Sequence, residues 1–536
     1  VFAKKGKFEA DEIPAATQIF TPNWIVKYMV QNTVGRIYLD NNPYEMQLQK
    51  KWQYLVEPSE KPSADSILKY EELTDLRVAD LACGSGHILN ECFDLLYDLY
   101  IAEGYGRGEA IENIFRHNLT GVDLDTRAKQ LATFALLLKA CQKDNAFADA
   151  HCLPNVLDMP EQEDSLNHFF GVFMHDMGEH SSTLLEAVKL CNQSHDLGSI
   201  MKFDISEETR NAIMIRTQEY EQLLANGEIV PEAIQLLIPY MHVILALTDR
   251  YAAICMNPPY MGSGRFDSVL SKYVKDNYKE GKADLFSVFM LLAINRLLPN
   301  GKYGMINMQS WMFLSSFEKL RTRMLTENCI DNMLHLGPRT FDELSGEVVQ
   351  NTAFVITNCE GNDATGAYYR LLDGKSCGDK ERMFLSHICG NEDGQKIYYP
   401  NVSQQDFEKI PGCPIGYWVS DKVKDVFTSN LALSEVCKPV NGLTTSDNAR
   451  FLRFWFEVSQ SRIGFSCENA ASAARSQKKW FYYNKGGEHR KWFGNHDIVI
   501  NWENDGYEIK HLKKSVVRNP TYYFKPSISW SLLGSS

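Results

Sequence analysis

The chain has 536 residues, 44% of them hydrophobic and 12% aromatic, and a formal net charge of −13. That length suits two or three domains with large cores, while the absence of any apolar run near ~20 residues and of a signal-peptide pattern predicts a cytoplasmic protein with no membrane partner. Thirteen cysteines without Cys-x-x-Cys pairs argue against a zinc module or a disulfide framework and read as reduced thiols, with no metal expected.

Residues 1–75 form an N-terminal segment. Its marked feature is Gln18-Ile19-Phe20-Thr21-Pro22 ahead of a helical pattern that reaches Tyr38 (Ile25, Met29, Val30, Val34, Ile37). Thr21 predicts the N-cap and Pro22 the first helical position. From 76 to 400 strands and helices alternate, which predicts an α/β fold with a doubly wound, mostly parallel sheet. The first strand, over 76–81, runs through Asp80 into Ala82-Cys83-Gly84-Ser85-Gly86 and an apolar-periodic helix. These glycines let backbone approach a ligand, and the helix start favours an anionic group. A dinucleotide fingerprint wants a third glycine where Leu89 stands; a site for S-adenosylmethionine, with no pyrophosphate to seat, does not. The second strand, over 119–124, ends in Asp123-Leu124-Asp125. Asp123 is the candidate for the ribose hydroxyls, and Asp125 caps the next helix.

Residues 156–245 interrupt the alternation as an acidic helical insertion: 151–250 hold 16 Asp/Glu against 5 Lys/Arg, which is −11 of the total −13. A third apolar strand, 251–256, delivers Asn257-Pro258-Pro259-Tyr260 at its carboxyl end, where open α/β sheets place ligands. Two prolines end the strand and fix the backbone. An amide oxygen and a proline carbonyl suit a planar exocyclic amino group, and Tyr260 offers a face for stacking a base. A helix over 284–298, a strand over 303–307 and a hairpin around 347–358 follow. From about 401 to 536 the texture turns aromatic and β-leaning. Residues 471–525 carry 11 Lys/Arg against 5 Asp/Glu. Lys478, Lys479, Lys485, Arg490 and Lys491 interleave there with Trp480, Phe481, Tyr482, Tyr483, Trp492 and Phe493, a mixture suited to phosphate and base contacts.

The order Phe-Thr-Pro, glycine loop, acidic strand end, Asn-Pro-Pro-Tyr, basic C-terminal region resembles the gamma class of N6-adenine DNA methyltransferases. Further matches run through Met261-Gly262-Ser263, Ile410-Pro411-Gly412, Gly442-Leu443-Thr444-Thr445-Ser446-Asp447-Asn448 and Asn484-Lys485-Gly486-Gly487. Within that class they are similar to the PglX family of BREX phage-defence systems. The resemblance implies S-adenosylmethionine as cofactor, with Thr21, Asp80, Ala82, Gly84, Gly86 and Asp123 around it. It places the adenine contact at Asp196-Leu197-Gly198-Ser199-Ile200 and a pocket-flanking motif at Asp284-Leu285-Phe286. Asn257, Pro258, Pro259 and Tyr260 become the catalytic set, with 401–536 the start of a target-recognition domain. Double-stranded DNA and other subunits of a defence system become the partners. PglX proteins are much longer, and a chain opening at Val1 and ending in Gly534-Ser535-Ser536 reads as a piece of one. RNA adenine methylation, glutamine-amide methylation, or a non-catalytic DNA- or partner-binding subunit stay open as alternatives.

Overall fold

The computed structural model describes residues 20–58, 62–149, 151–163, 173, 177–178, 180–341, 349–361, 364–388, 396–485 and 493–529. By internal contacts the chain divides into two compact units, Val1–Thr428 and Ser429–Ser536.

The first unit is α/β. Its strands are β1 (Val78–Asp80), β2 (Leu119–Asp123), β3 (Val156–Asp158), β4 (Tyr251–Met256), β5 (Leu297–Met308), β6 (Cys329–Gly337), β7 (Asn351–Thr357), β8 (Thr365–Arg370) and β9 (Tyr398–Ser403). They form one mixed sheet in the order β3-β2-β1-β4-β5-β7-β6-β8-β9. The first five are mutually parallel. β7 then runs antiparallel between β5 and β6, and β8 and β9 extend that edge. Chain order reverses between β1 and β4, so a crevice opens at the carboxyl ends of these two strands and β2.

The central strands are apolar because both faces are covered; all six residues of β4 are buried. One face carries α1 (Asn23–Val30) and α2 (His87–Ala102), whose Ile25, Met29, Leu89 and Phe93 join Ala253 and Cys255 of β4. On the other face, α8 (Leu285–Arg296) and the helices between β3 and β4 meet Ile254 and Met256. Those intervening helices are α4 (His180–Cys191), α5 (Glu207–Ala225) and α6 (Glu232–Thr248), following α3 (Thr126–Lys143). Just past α6, Asp249 accepts from Arg77 at 2.7 Å and pairs with Arg210 of α5 at 3.1 Å. The helical segment is thereby moored to the start of β1. α7 (Ser268–Asn277) follows the Asn-Pro-Pro-Tyr turn, α9 (Glu318–Glu327) precedes β6, and α10 (Cys377–Ile388) lies between β8 and β9.

Several expectations change. α1 starts at Asn23 with Pro22 as its cap residue and no side-chain cap hydrogen bond, so Thr21 is not the N-cap. Asp125 does cap α3, accepting from the Arg127 amide. A domain boundary near 401 would cut β9. Arg321 of α9, 1% exposed, donates to the carbonyls of Gly412 and Cys413 as well as Trp311, which ties 410–413 to the first unit. Cys329 and Cys359 form a disulfide, where reduced thiols were expected. The only part of the expected 347–358 hairpin seen as strand is β7, which pairs with β5 and β6; 342–348 lie outside the described residues.

In the second unit β10 (Leu452–Phe454), β11 (Trp480–Tyr482) and β12 (Ile498–Asn501) form an antiparallel sheet in the order β10-β12-β11. Leu452, Phe481 and Ile500 face α11 (Ala470–Arg475) and α12 (Glu503–Lys510) through Ala473 and Ile509. Elsewhere the described part of this unit is mostly turns and short helices, so it is less β-rich than its aromatics predict.

Candidate active site

The crevice at the ends of β1, β2 and β4 is lined by Thr21, Asp80, Ala82, Gly84, His87, Asp123, Asp196, Asn257 and Pro259. Apolar walls come from Ile88, Leu124, Leu197, Leu270, Leu285 and Phe289. Eight of these, drawn from five separated stretches, are residues the sequence motifs single out.

Asp80 ends the buried central strand and is 1% exposed. Its Oδ1 accepts from the Ala82 amide at 3.1 Å. Burial pushes its carboxyl up to about 8; the Ala82 amide pulls the other way and the nearby Asp123 adds to the rise. Asp123 bridges two loops: Oδ2 accepts from the Gly84 amide at 2.7 Å and Oδ1 from the Asp125 amide at 3.0 Å. Burial raises this carboxyl too, against the amide bonds.

The two loop glycines separate in role. Both take left-handed backbone, with φ of +52° at Gly84 and +78° at Gly86. A Cβ on Gly84 would meet nothing within 4 Å, and Gly84 lines the crevice. A Cβ on Gly86 would stand 2.7 Å from Cβ of Ala132 on α3. Gly86 therefore sets the close approach of α2 and α3 and is not among the lining residues, unlike the cofactor contact expected of it.

Asp284 also departs from expectation. Its Oδ1 accepts from the Met261 amide at 3.0 Å and the Phe286 amide at 3.3 Å. The carboxylate caps α8 and clamps the turn after Asn-Pro-Pro-Tyr instead of lining the crevice. Burial pushes it up to about 6, with the amides opposing. Asp196, by contrast, does reach the crevice, on the short turn Ser194–Leu197 that leads into Gly198–Ile200. Ser199 fastens that stretch to β1, its Oγ donating to the Leu81 carbonyl at 2.5 Å.

Asn257 and Pro259 face the crevice, while Pro258 is buried and Tyr260 half-buried. The Tyr260 ring meets Phe286 edge-on, with centroids 6.3 Å apart. Its hydroxyl lies 2.8 Å from Asn257 Oδ1 and 3.1 Å from the Ile306 carbonyl. Asn351 Nδ2 approaches the same oxygen at 3.4 Å. Burial raises the phenol well above its ordinary range, so it stays protonated. None of this polar contact is visible in the motif, which suggests only a stacking ring. His87 was also missed. It lines the crevice, and burial lowers its imidazole below the ordinary range; its place directly after Gly86 was the available signal.

In the second unit, Lys485 is exposed. Lys478 and Lys479 are half-buried and engaged: Lys478 Nζ donates to the Ser461 carbonyl at 2.5 Å and Lys479 Nζ pairs with Glu503 at 3.2 Å. Arg490 and Lys491 lie outside the described residues. Trp480, Phe481 and Trp502 are core, whereas Tyr482 is 46% exposed.

Residues 117–341 match the Eco57I restriction-modification methylase family. Over 553 aligned positions the chain is 36% identical to the adenine-specific methyltransferase PglX of Lacticaseibacillus casei (strain Zhang), covering 99% of this chain and 45% of that protein. The chain is similar to PglX. The resemblance expected from the order of motifs holds. A second relative, the adenine-specific methyltransferase BrxX of Escherichia coli O9:H4 (strain HS), is also 36% identical, over 98% of this chain and 44% of its own length. The chain thus spans under half the length of these curated relatives. The likeness to PglX takes in Thr21 and the glycine loop, which precede the Eco57I match; that match holds Asp123, Asp196 and Asn257. Among solved structures, the modification subunit of a putative type I restriction enzyme from Vibrio vulnificus YJ016 aligns at 11% identity and a TM-score of 0.39, over 74% of this chain and 58% of that one.

Proposed function

We propose that the chain carries the catalytic region of an adenine-specific DNA methyltransferase that moves a methyl group from S-adenosylmethionine to N6 of an adenine flipped out of double-stranded DNA. The setting we propose is phage defence, alongside other subunits of a restriction-modification or BREX-type system. One observation carries the reading: Asn257, at the end of β4, shares a single crevice with the glycine loop of β1 and Asp123 of β2.

The crevice suits the cofactor. Asp80 is a carboxyl whose ionisation burial disfavours, and a neighbouring ammonium group would restore it. Asp123, already oriented by two amides, has lone pairs left for ribose hydroxyls. Leu124, Leu197 and Phe289 give an adenine ring apolar cover. When bound, S-adenosylmethionine supplies an electrophilic methyl carbon on its sulfonium. The protein's task is then orientation. Asn257 Oδ1 and the Pro258 carbonyl accept the two N6 hydrogens of the target adenine, which draws the nitrogen lone pair out of ring conjugation and aims it along the line of transfer. The N6 proton leaves to water after the new N–C bond has formed, so no strong base is required. Flipping the base costs a few kcal/mol, and contact with the exposed part of the Tyr260 ring would offset part of it, at about 1–3 kcal/mol per stacked base. We assign the unit 429–536 to the beginning of the target-recognition domain, with Lys485 as its described phosphate contact.

Sequencing modified bases in a host with and without the full-length gene tests the reading. N6-methyladenine at one recurring motif, present only with the intact gene and lost on Asn257→Ala, is the expected result. Unchanged methylation on deletion would reject it.

A further inference from the structure

Asn351 opens β7, opposite Met308 of β5 and Gly337 of β6, and is fully buried. Its Nδ2 donates to the Asn307 carbonyl at 3.2 Å. A carbonyl only accepts, so the Asn351 atom facing it is the amide nitrogen. The same nitrogen lies 3.4 Å from the Tyr260 hydroxyl oxygen. Approached by a donor, that hydroxyl has a single proton to give, and of its two acceptors Asn257 Oδ1 at 2.8 Å is nearer than the Ile306 carbonyl at 3.1 Å. In the shorter set of contacts polarity runs from the Asn351 amide to the Tyr260 hydroxyl to the Asn257 oxygen, with the Ile306 carbonyl as a second, longer acceptor. That polarity starts at the Asn307 carbonyl of β5, which cannot reverse.

A second observation is independent of these bonds. Asn351 Oδ1 is buried without a hydrogen-bond partner among the described residues. An unmatched buried amide oxygen destabilises the fold. An apolar residue of the same shape at 351 would avoid that penalty, so the oxygen does not explain the asparagine. Its donor does.

We propose that Asn351 and the Tyr260 hydroxyl are positioning residues. They hold the Asn257 side chain with its oxygen, rather than its nitrogen, set as acceptor for the target amino group. Asn257 alone has two near-isosteric amide orientations, and with its nitrogen in the acceptor's place it would oppose the N6 hydrogens. The inference rests on the methyltransferase reading above. It gives Tyr260 a second role beside its ring, and it gives β7 a part in a site otherwise built from β1, β2 and β4.

The test is steady-state kinetics of the full-length protein on a duplex carrying the motif that base sequencing identifies, with base flipping read separately on a duplex that has 2-aminopurine at the target position. Tyr260→Phe keeps the ring, and Asn351→Leu keeps the volume. Each is expected to lower kcat about tenfold, the worth of one hydrogen bond that orients a reacting group. KM for DNA, cofactor affinity and the flipping signal should stay at wild-type values, because a packing or stacking role would move those first. The double variant should fall no further than either single one, since both break one chain. Tyr260→Phe with kcat within about twofold of wild type overturns the proposal. So does a fall in kcat matched by a rise in KM and loss of the flipping signal. If instead wild type is inactive, or Asn257→Ala retains activity, it is the methyltransferase reading that fails.

Discussion

On the proposed reading, Asp80 should couple binding of S-adenosylmethionine to proton release. The carboxyl is 1% exposed, and burial holds it up to about 8 against ~3.9 for an unperturbed aspartate. The sign follows from the direction of the shift. In the ligand-free protein this group's contribution to stability is full below pH ~4 and is lost as pH rises through about 8. At pH 7 the difference amounts to on the order of 4 kcal/mol. A bound ammonium group favours the carboxylate, so a proton must leave when the cofactor arrives. Between about pH 5.5 and 6.5, well below both Asp80 and an α-amino group at ~7.7–8.0, affinity for S-adenosylmethionine should rise close to tenfold per pH unit and then flatten as pH approaches those values. Isothermal titration in two buffers of different ionisation enthalpy measures both the slope and the proton released. Asp80→Asn should abolish the pH slope and stabilise the ligand-free protein at pH 7. A wild-type affinity flat across that range, with no proton release, would refute the reasoning.

Asn257→Ala should lower kcat by at least about 100-fold while cofactor affinity measured by titration holds, because the lost acceptor acts as the transition state forms. Gly86→Ala should destabilise the fold by roughly 1–3 kcal/mol in a denaturation curve, since a left-handed φ coincides there with Ala132 at 2.7 Å. Gly84→Ala meets no protein atom but keeps the strain of a left-handed φ of +52°, so it should cost less stability than Gly86→Ala and, because the residue lines the crevice, also lower cofactor affinity. In full-length protein, Lys485→Gln should reduce the slope of log affinity for DNA against log salt by about 0.9, the value of one phosphate contact. Lys479→Gln should leave that slope unchanged, because Glu503 already holds the Lys479 ammonium.

What the sequence made legible was local. Strand, glycine turn, helix and acidic strand end are contiguous stretches, and β4 followed by Asn-Pro-Pro-Tyr states its own end, so the crevice could be located from three short segments. Asp196 was reachable only through the family's order of motifs, since an insertion separates it from its neighbours in space. Asp284 and Gly86 show the converse. Both stand in the right motif, yet two amides engage the carboxylate and Ala132 meets the glycine, which only tertiary contacts reveal. β6, β8 and β9 gave no clear signal because neither hydrophobic alternation nor turn residues isolated them. The Tyr260 hydroxyl was hidden for a related reason. Its partners Asn257 and Ile306 meet through the pairing of β4 with β5, and Asn351 joins them only when β7 enters between β5 and β6.

The mooring of 196–200 has a practical side. Ser199 is fastened to the Leu81 carbonyl and Asp196 borders the crevice, although both belong to the segment between β3 and β4 that looks like an appendage. A protein engineer trimming that segment to obtain a minimal core would be removing a wall of the crevice. A shortened version that keeps its site must cut after Ile200 and rejoin before Tyr251, retaining the turn while discarding α5 and α6 and covering the sheet face they leave bare.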